Sequence, residues 1–574
     1  MIRRNKQDAA ATSPATADTK AKTKTKARTK TKGQRLSVLR IAAAGVIIAG
    51  IAFGGSHLAV HALKEGPDTS SQWFAPYVDV TLPPYLDFQD PAANPSKDVV
   101  LSFVVASPGH ACTPSWGGAY DLDGAAGDLD LDRRIVRLRE RGGDVIASFG
   151  GVANDELATV CTDPDALAGA YRSVVHRYHL ASIDLDLEGA ALDNTEAVTR
   201  RATAIKAVQA SEAKAGRKLD VWLTLPMDPN GLTAAGTSAV DAMLDAKVDI
   251  EGVNVMAMEY GNSRPEGTSF VDASLSGITA TAKQVRTSYH RHHKVLTLAK
   301  AYARVGVTPM IGQNFFPADR LETKDARRLY AAASKLGVRR FSMWSLNRDA
   351  PCGGNIDPAI SNNTCSGVDQ KPLEFSQIFS AGGGRATSNE AVANAEAMSG
   401  RSRVNSGAAS TEGTGPYQDW RPRREYDLAE KIVWRGQVYE SKWWNVGAQP
   451  DAPVKHDWDS PWRVLGPVLE GDPSLPTPPT IPEGTYQEWS QKTIYDTGDR
   501  VEHLGVGYRA KWWTRGDDPS VDVDNDWQNP WEVVGPPPNA TTTTTAPSGG
   551  PAKTAVKVPT TSSTTTTAPT GPGL

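Results

Sequence analysis

Cysteine is scarce in this chain: four residues in 574, all between Cys112 and Cys365. None of their spacings matches a zinc site, and His176-x-x-His179 has no Cys or acidic residue nearby to complete a ligand set, so it reads as a surface pair. No metal and no cofactor are expected. Basic charge is equally confined. The first 40 residues hold twelve Lys/Arg against Asp8 and Asp18, a net +10, and the rest of the chain carries −13. Without a basic footprint beyond its amino end the chain is not expected to take nucleic acid as a partner. Gly382-Gly383-Gly384 lacks the Lys-Ser/Thr ending of a phosphate-binding loop, and no Gly-rich loop follows the first strand, which excludes the common nucleotide sites. Tryptophan is thin over most of the chain: eleven of fifteen lie between Tyr417 and Pro536.

What is present is segmental. Residues 1–37 form a solvated basic block that buries too little apolar surface to fold. Residues 38–62 (Ile41, Val46, Ile47, Ile48, Ile51, Phe53, Leu58, Val60) are long enough to cross a bilayer. With the positive block before them, everything after is expected outside the cell, anchored by this helix, or secreted if a signal peptidase cuts near Val60-His61-Ala62. A small even number of cysteines after the crossing suits an oxidising compartment. Cys352 and Cys365, 13 apart in a Gly/Asn/Asp-rich loop, are natural partners, and Cys112 with Cys161 pair by elimination.

Over residues 70–382 apolar runs alternate with amphipathic stretches. Candidate strands are Phe74–Thr81, Val99–Ala106, Asp144–Gly150, Ala181–Glu188, Leu219–Leu225, Gly252–Met258, Val305–Ile311 and Arg340–Leu346. Helical patterns cover Asp132–Arg141, Pro164–Tyr178, Asn194–Ala215, Ser238–Ala246, Gly277–His292 and Lys324–Leu336. Eight strands, most followed by a helix, predict an α/β fold, a (β/α)8 TIM barrel. A doubly wound open sheet is the other arrangement such a pattern allows. Residues 383–415 are a Gly/Ala/Ser/Asn linker, 468–482 a Pro-rich spacer, and 537–574 a Thr/Pro-rich tail without core-forming residues. Between them, 416–467 and 483–536 are copies of one another. At an offset of 69, Trp420, Tyr426, Tyr439, Trp443, Trp444, Gly447, Pro450, Trp458, Trp462 and Gly466 meet identical residues. Each copy is predicted to be a small all-β unit.

The most informative string is Ile183-Asp184-Leu185-Asp186-Leu187-Glu188-Gly189. On a strand of period two, Asp184, Asp186 and Glu188 share one face. Like charges so spaced cannot all ionise cheaply, so at least one pKa is expected to rise, as a general acid at neutral pH requires. Glu188, nearest the carboxyl end of its strand, is the candidate acid.

This stretch resembles the Asp-x-x-Asp-x-Asp-x-Glu signature of family 18 glycoside hydrolases, the chitinases. Other motifs fall in the same order: Ser148-Phe-Gly150-Gly151 resembles the third-strand Ser-x-Gly-Gly. Asn254-Val-Met-Ala-Met258-Glu259-Tyr260-Gly261 resembles the sixth strand, and Phe341-Ser-Met-Trp344 the eighth. The resemblance implies retaining, substrate-assisted hydrolysis of β-1,4-linked N-acetylglucosamine polymers. Glu188 would be the proton donor, Asp186 would orient the acetamido group, and Asp184 would be coupled below it. Glu259 and Tyr260 would contact the acetamido side or the incoming water, Trp344 would floor the cleaved sugar, and Met258, Ser148 and Gly150 would line the site. Two departures stand out: the first signature Asp is Ala181, and the sixth-strand Asp is Glu259, one methylene longer. A catalytically weak or inactive protein that binds chitin or cell wall is the alternative.

Lys442-Trp443-Trp444 and Ala510-Lys-Trp512-Trp513-Thr-Arg-Gly516-Asp-Asp-Pro519 resemble the core of family 5/12 carbohydrate-binding modules, the type 3 chitin-binding domains. The resemblance implies two chitin-binding modules in a chain acting as a monomer. Adjacent tryptophans on an extended strand point to opposite faces, so one ring of each pair is expected in the core and the other facing solvent. Trp420 and Trp489 are expected to join the platform, and Trp458, Trp462, Trp527 and Trp531 the core.

Overall fold

The computed structural model describes residues 72–382 and 415–535. The basic tail, the apolar stretch 38–62, the linker up to residue 414 and the tail from Pro536 lie outside those residues. Among the described residues no helix is long and apolar enough to cross a membrane.

The first stretch is organised by strands β1 (Trp73–Phe74), β2 (Tyr77–Asp79), β3 (Asp98–Ser107), β4 (Asp144–Gly150), β5 (Ser182–Asp186), β6 (Asp220–Asp228), β7 (Ile250–Ala257), β8 (Val305–Pro309) and β9 (Arg340–Phe341). Each of the eight expected strand segments overlaps at least one of them. They pair in parallel as β2-β3-β4-β5-β6-β7-β8-β9, and β9 pairs in turn with β1. The run from Trp73 to Asp79 therefore touches both ends of the succession. A hairpin, His110–Trp116 and Tyr120–Asp121, adds antiparallel to β3. Sequence pattern overlooked it because His110-Ala-Cys-Thr-Pro-Ser-Trp has no apolar alternation.

Strand parity sorts the core into two. Phe74, Val78, Leu101, Leu185, Phe341 and Met343 join a large cluster with helix residues such as Ile135, Tyr171, Ile205 and Leu329. Trp73, Ala75, Tyr77, Val100, Ile146 and Trp222 form a separate small cluster on the other face. Both faces are thus covered, which is why these strands read as near-continuous apolar runs. The helices between them start where caps dictate. Asp163 accepts from the N–H groups of Asp165 and Ala166 ahead of Pro164–Arg177. Two helices begin earlier than apolar spacing predicted, Ala234–Asp245 and Phe270–Arg291, because Thr233 and Ser269 accept from the amides of Gly236 and Asp272. Both expected disulfides form, Cys112–Cys161 and Cys352–Cys365, with Cα–Cα separations of 4.9 and 5.0 Å.

The repeat holds in three dimensions. Lys431–Trp434, Gln437–Ser441 and Trp462–Pro467 form an antiparallel sheet. Arg500–His503, Val506–Ala510 and Trp531–Val534, offset by 69, pair in the same way. Each small core centres on one Tyr–Trp pair, Tyr426 with Trp462 and Tyr495 with Trp531.

The first copy lies against helix α1 (Leu131–Glu140) of the parallel-sheet unit. Arg133 is buried there, donating through Nε to Asp130 (2.9 Å), to the Pro467 carbonyl (3.0 Å) and through Nη2 to Asp472 (3.0 Å). Lys431 reaches Asp130 at 2.6 Å, and Gln89 donates to the Val464 carbonyl at 3.2 Å. Gly466, at φ +148°, sits so close that a Cβ would lie 2.3 Å from the Arg133 carbonyl, whereas its counterpart Gly535 has open space around it. The two glycines therefore supply their own control. Gly466→Ala is expected to lift the first copy off α1, seen as faster amide exchange over residues 130–136, and Gly535→Ala to leave exchange there unchanged. Equal behaviour of the two variants would show that the contact does not depend on this approach.

Candidate active site

Asp184 and Asp186 lie on β5 and Glu188 two residues beyond its end, in the face-sharing row expected from sequence. At the bottom of the row four donors converge on the buried Asp184 carboxylate. Oδ2 accepts from Tyr77 Oη and Ser148 Oγ, both at 2.8 Å, and Oδ1 from Thr224 Oγ1 and Arg340 Nη1, both at 2.7 Å. Asn254 closes the ring by donating to Thr224 (3.0 Å) and Thr308 (2.7 Å). Arg340 is wholly buried and lies over the rings of Trp73, Tyr77 and Trp222, its guanidinium carbon 5.1 Å from the Trp222 centroid.

Asp186 sits one step up. Burial, then Glu188 and Asp184, push its carboxyl well above the usual range, with Arg340 pulling the other way. Its Oδ1 is buried and has no hydrogen-bond partner among the described residues. Close packing at this level needs Gly150, at φ +106°, since a Cβ there would fall 2.1 Å from the Asp186 carbonyl. Glu188 tops the row. Burial pushes its carboxyl up to about 7, and it makes no capping bond to the short helix Gly189–Asp193 that follows. Two adjacent carboxyls, both raised, hold at least one proton between them near neutrality. The Trp344 ring, half-buried, stacks on Phe103 with centroids 5.4 Å apart and an interplanar angle of 17°.

The remaining site candidates are placed differently. Glu259, at φ +54°, accepts the backbone N–H groups of Phe315 (2.8 Å) and Phe316 (3.2 Å). It holds a loop rather than joining the carboxylate row. Tyr260 is buried against Phe270 and donates to Ser274 Oγ at 2.9 Å, so its hydroxyl is turned into helix packing. Met258 is half-buried just beyond β7. Sequence reasoning missed Arg340, Tyr77 and Thr224. The signal was available: Arg340 shares strand parity with Ser342 and Trp344, and a charge at an inward position of an apolar strand requires a partner. Among the described residues no three His, Cys, Asp or Glu side chains gather to hold a metal ion. His176 is instead bonded to Glu212 at 2.8 Å.

In the repeated units the tryptophan expectations are partly overturned. Trp443 and Trp444 are both exposed, as are Trp512 and Trp513. The strand ends at Ser441, the Lys442 N–H bonds to the Pro461 carbonyl at 2.6 Å, and pairing resumes only at Asn445, so both rings sit on a bend where strand alternation does not apply. Trp420 and Trp489 pack edge-on against Trp434 and His503 and belong partly to the core. Trp458 and Trp527, expected inside, are 72% and 65% exposed. They lie on turns outside the sheet, each following a carbonyl (Asp457, Asp526) that accepts from the lysine lying over Trp443 or Trp512. Trp462 and Trp531 are buried as expected.

Residues 488–532 match the model of carbohydrate-binding module family 5/12. The chain is 33% identical over 310 residues to the "Probable bifunctional chitinase/lysozyme" of Escherichia coli (strain K12), covering 53% of this chain and 34% of that protein. It is 32% identical over 281 residues to "Endochitinase 11" of Metarhizium anisopliae, covering 48% and 52% respectively. The chain thus spans between about a third and about half of the length of these curated relatives. Among solved structures, the catalytic domain of the hyperthermophilic chitinase from Pyrococcus furiosus aligns at 25% identity over 54% of this chain and 95% of that one, with a TM-score of 0.47.

Proposed function

We propose that this chain is a glycoside hydrolase, a chitinase, whose (β/α)8 barrel cleaves β-1,4-linked N-acetylglucosamine polymers while two family 5/12 modules hold the polymer. One observation carries the reading. A carboxyl raised by burial to about 7 stands next in the row to a buried carboxyl of which one oxygen has no partner among the described residues. That pairing suits substrate-assisted hydrolysis, in which no second protein nucleophile is needed.

Glu188 donates its proton to the glycosidic oxygen as the C–O bond breaks. The acetamido carbonyl oxygen of the same sugar attacks the anomeric carbon, closing an oxazolinium ring. Asp186 Oδ1 accepts the acetamido N–H, aligning the attack and stabilising the positive charge that develops. Water, deprotonated by Glu188, then opens the ring from the face the leaving group left, so configuration is retained. Asp184 and Arg340, a neutral pair, hold Asp186 from below without adding net charge. Trp344 offers an apolar floor to the sugar. The exposed pairs Trp443–Trp444 and Trp512–Trp513 give each module a stacking surface, and two weak sites on one chain gain by effective concentration on an insoluble polymer. Residues 38–62 carry the chain across the membrane and leave it anchored there or, if cut, secreted.

The full chain is expected to release reducing N-acetylated oligosaccharides from colloidal chitin, with the β anomer appearing first in proton NMR spectra taken within the first turnovers. Absence of release, or an initial α anomer, would overturn the reading.

A further inference from the structure

The loop Asn314–Asp319, which follows β8, is built more tightly than a surface connection requires, and what it displays is apolar. Phe315 is 67% exposed and Phe316 49%. Below them Glu259, in a left-handed conformation that is unfavourable for a non-glycine residue, accepts both of their amide N–H groups. Its own N–H donates to Asn314 Oδ1 at 3.3 Å, and Asn314 Nδ2 donates to the carbonyls of Met310 (3.1 Å) and Gly312 (3.2 Å). Asp319, fully buried, accepts from the Gly261 N–H at 2.7 Å and from Arg264 Nε at 2.9 Å, and its backbone closes the loop onto Asn314 and Phe316. The Phe316 ring rests on Gly261, where a Cβ would lie 2.9 Å from it. Two carboxylates, a strained backbone and a glycine are thus committed to fixing two rings in water, which folding alone does not favour.

Position gives the rings a use. Around the carboxyl ends of the strands, Glu188 follows β5, Glu259 follows β7, the Phe315–Phe316 loop follows β8 and Trp344 follows β9. The Ile311 N–H bonds to the Trp344 carbonyl at 3.1 Å, so the chain leading into the loop passes beside the residue proposed as sugar floor. Rings already immobilised stack on the apolar face of a pyranose with little further loss of entropy.

We propose that Phe315 and Phe316 form an additional sugar subsite of the cleft, outside the one floored by Trp344, taking a pyranose of a β-1,4-linked N-acetylglucosamine chain away from the scissile bond. Glu259 is then a positioning residue that presents the loop. The inference rests on the hydrolase reading above. For the full chain acting on soluble chitin oligomers, the ratio of kcat/KM for the hexamer to that for the trimer is expected to fall about tenfold in Phe315→Ala/Phe316→Ala, chiefly through KM for the hexamer. Glu259→Gln, which sets an amide group against a backbone N–H, is expected to lower the ratio by a smaller factor, and Phe315→Tyr, which keeps the ring, to restore it. Phe315→Ala alone, whose ring is mostly in water, keeps the test open if the double variant does not fold. An unchanged ratio in a folded variant, with wild type active on both oligomers, overturns the subsite alone. Wild-type protein that cleaves neither oligomer overturns the hydrolase reading and the subsite with it.

Discussion

Glu188→Gln is expected to lower chitin hydrolysis by about 10³-fold while leaving the fold intact, since general acids contribute roughly 10²–10⁴. Glutamine keeps the shape of the side chain but has no proton to give to the leaving oxygen and cannot take one from water. Wild-type activity should fall as pH rises through about 7, where burial places the Glu188 carboxyl, and the variant's residual activity should lack that limb. Stability moves the same way. An unfolded glutamate titrates near 4.3, so between roughly that pH and about 7 the folded state binds more protons than the unfolded one and wild-type stability declines as pH rises. Above pH 7 the folded protein carries a partly buried charge that the variant lacks. Glu188→Gln should then be the more stable by about 3–4 kcal/mol at pH 8, and nearly equal to wild type at pH 4. Thermal melts at the two pH values, beside reducing-sugar release, check both halves. Comparable turnover in the variant would mean that proton donation comes from elsewhere.

The second large effect concerns the foot of the carboxylate row. Arg340→Met is expected to cost about 3–5 kcal/mol, because it leaves Asp184 buried and uncompensated at a place where the surrounding donors neutralise only part of its charge. Asp184→Asn/Arg340→Met removes both charges and should recover most of that loss, giving a coupling energy of a few kcal/mol in a double-mutant cycle. The single variant should also move the alkaline limb of activity upward. Arg340 lowers the Asp186 carboxyl, so its loss raises Asp186 further, and with it the proton-holding pair that Asp186 makes with Glu188. Equilibrium denaturation of the three variants measures the cycle. Additive losses would show that the pair is not energetically coupled.

Arg340 also marks where sequence reading stopped short. The carboxylate row was legible because alternation of Asp and Glu with Ile and Leu on a strand has one geometric meaning. Arg340 stands 156 residues from Asp184 in sequence and was seen only as the first residue of a strand. Glu259 was legible by position and not by contact. Its place after the sixth expected strand suggested a hand on the substrate, yet its left-handed backbone directs the carboxylate to two amides of another loop. Trp458 and Trp527 misled for a related reason. Tryptophan in a small unit with few aliphatic residues reads as core, but the turns carrying them lie outside the sheet, and Tyr426 with Trp462, and Tyr495 with Trp531, already fill the interior.

The chain by itself determined which residues share a face, where the disulfides close and that a 69-residue period repeats. Those properties follow from local period, covalent spacing and composition, which neighbours in space do not alter. Only the tertiary structure decided which of the inward-facing groups meet. Parallel strand pairing set Arg340 against Asp184, left one oxygen of Asp186 without a partner among the described residues, spent Glu259 on a loop, and pressed one copy of a repeated unit against α1 at Gly466, while no described residue crowds its counterpart Gly535. Each of these depends on register between segments far apart in sequence, where a shift of one residue would turn the same side chains to the opposite face.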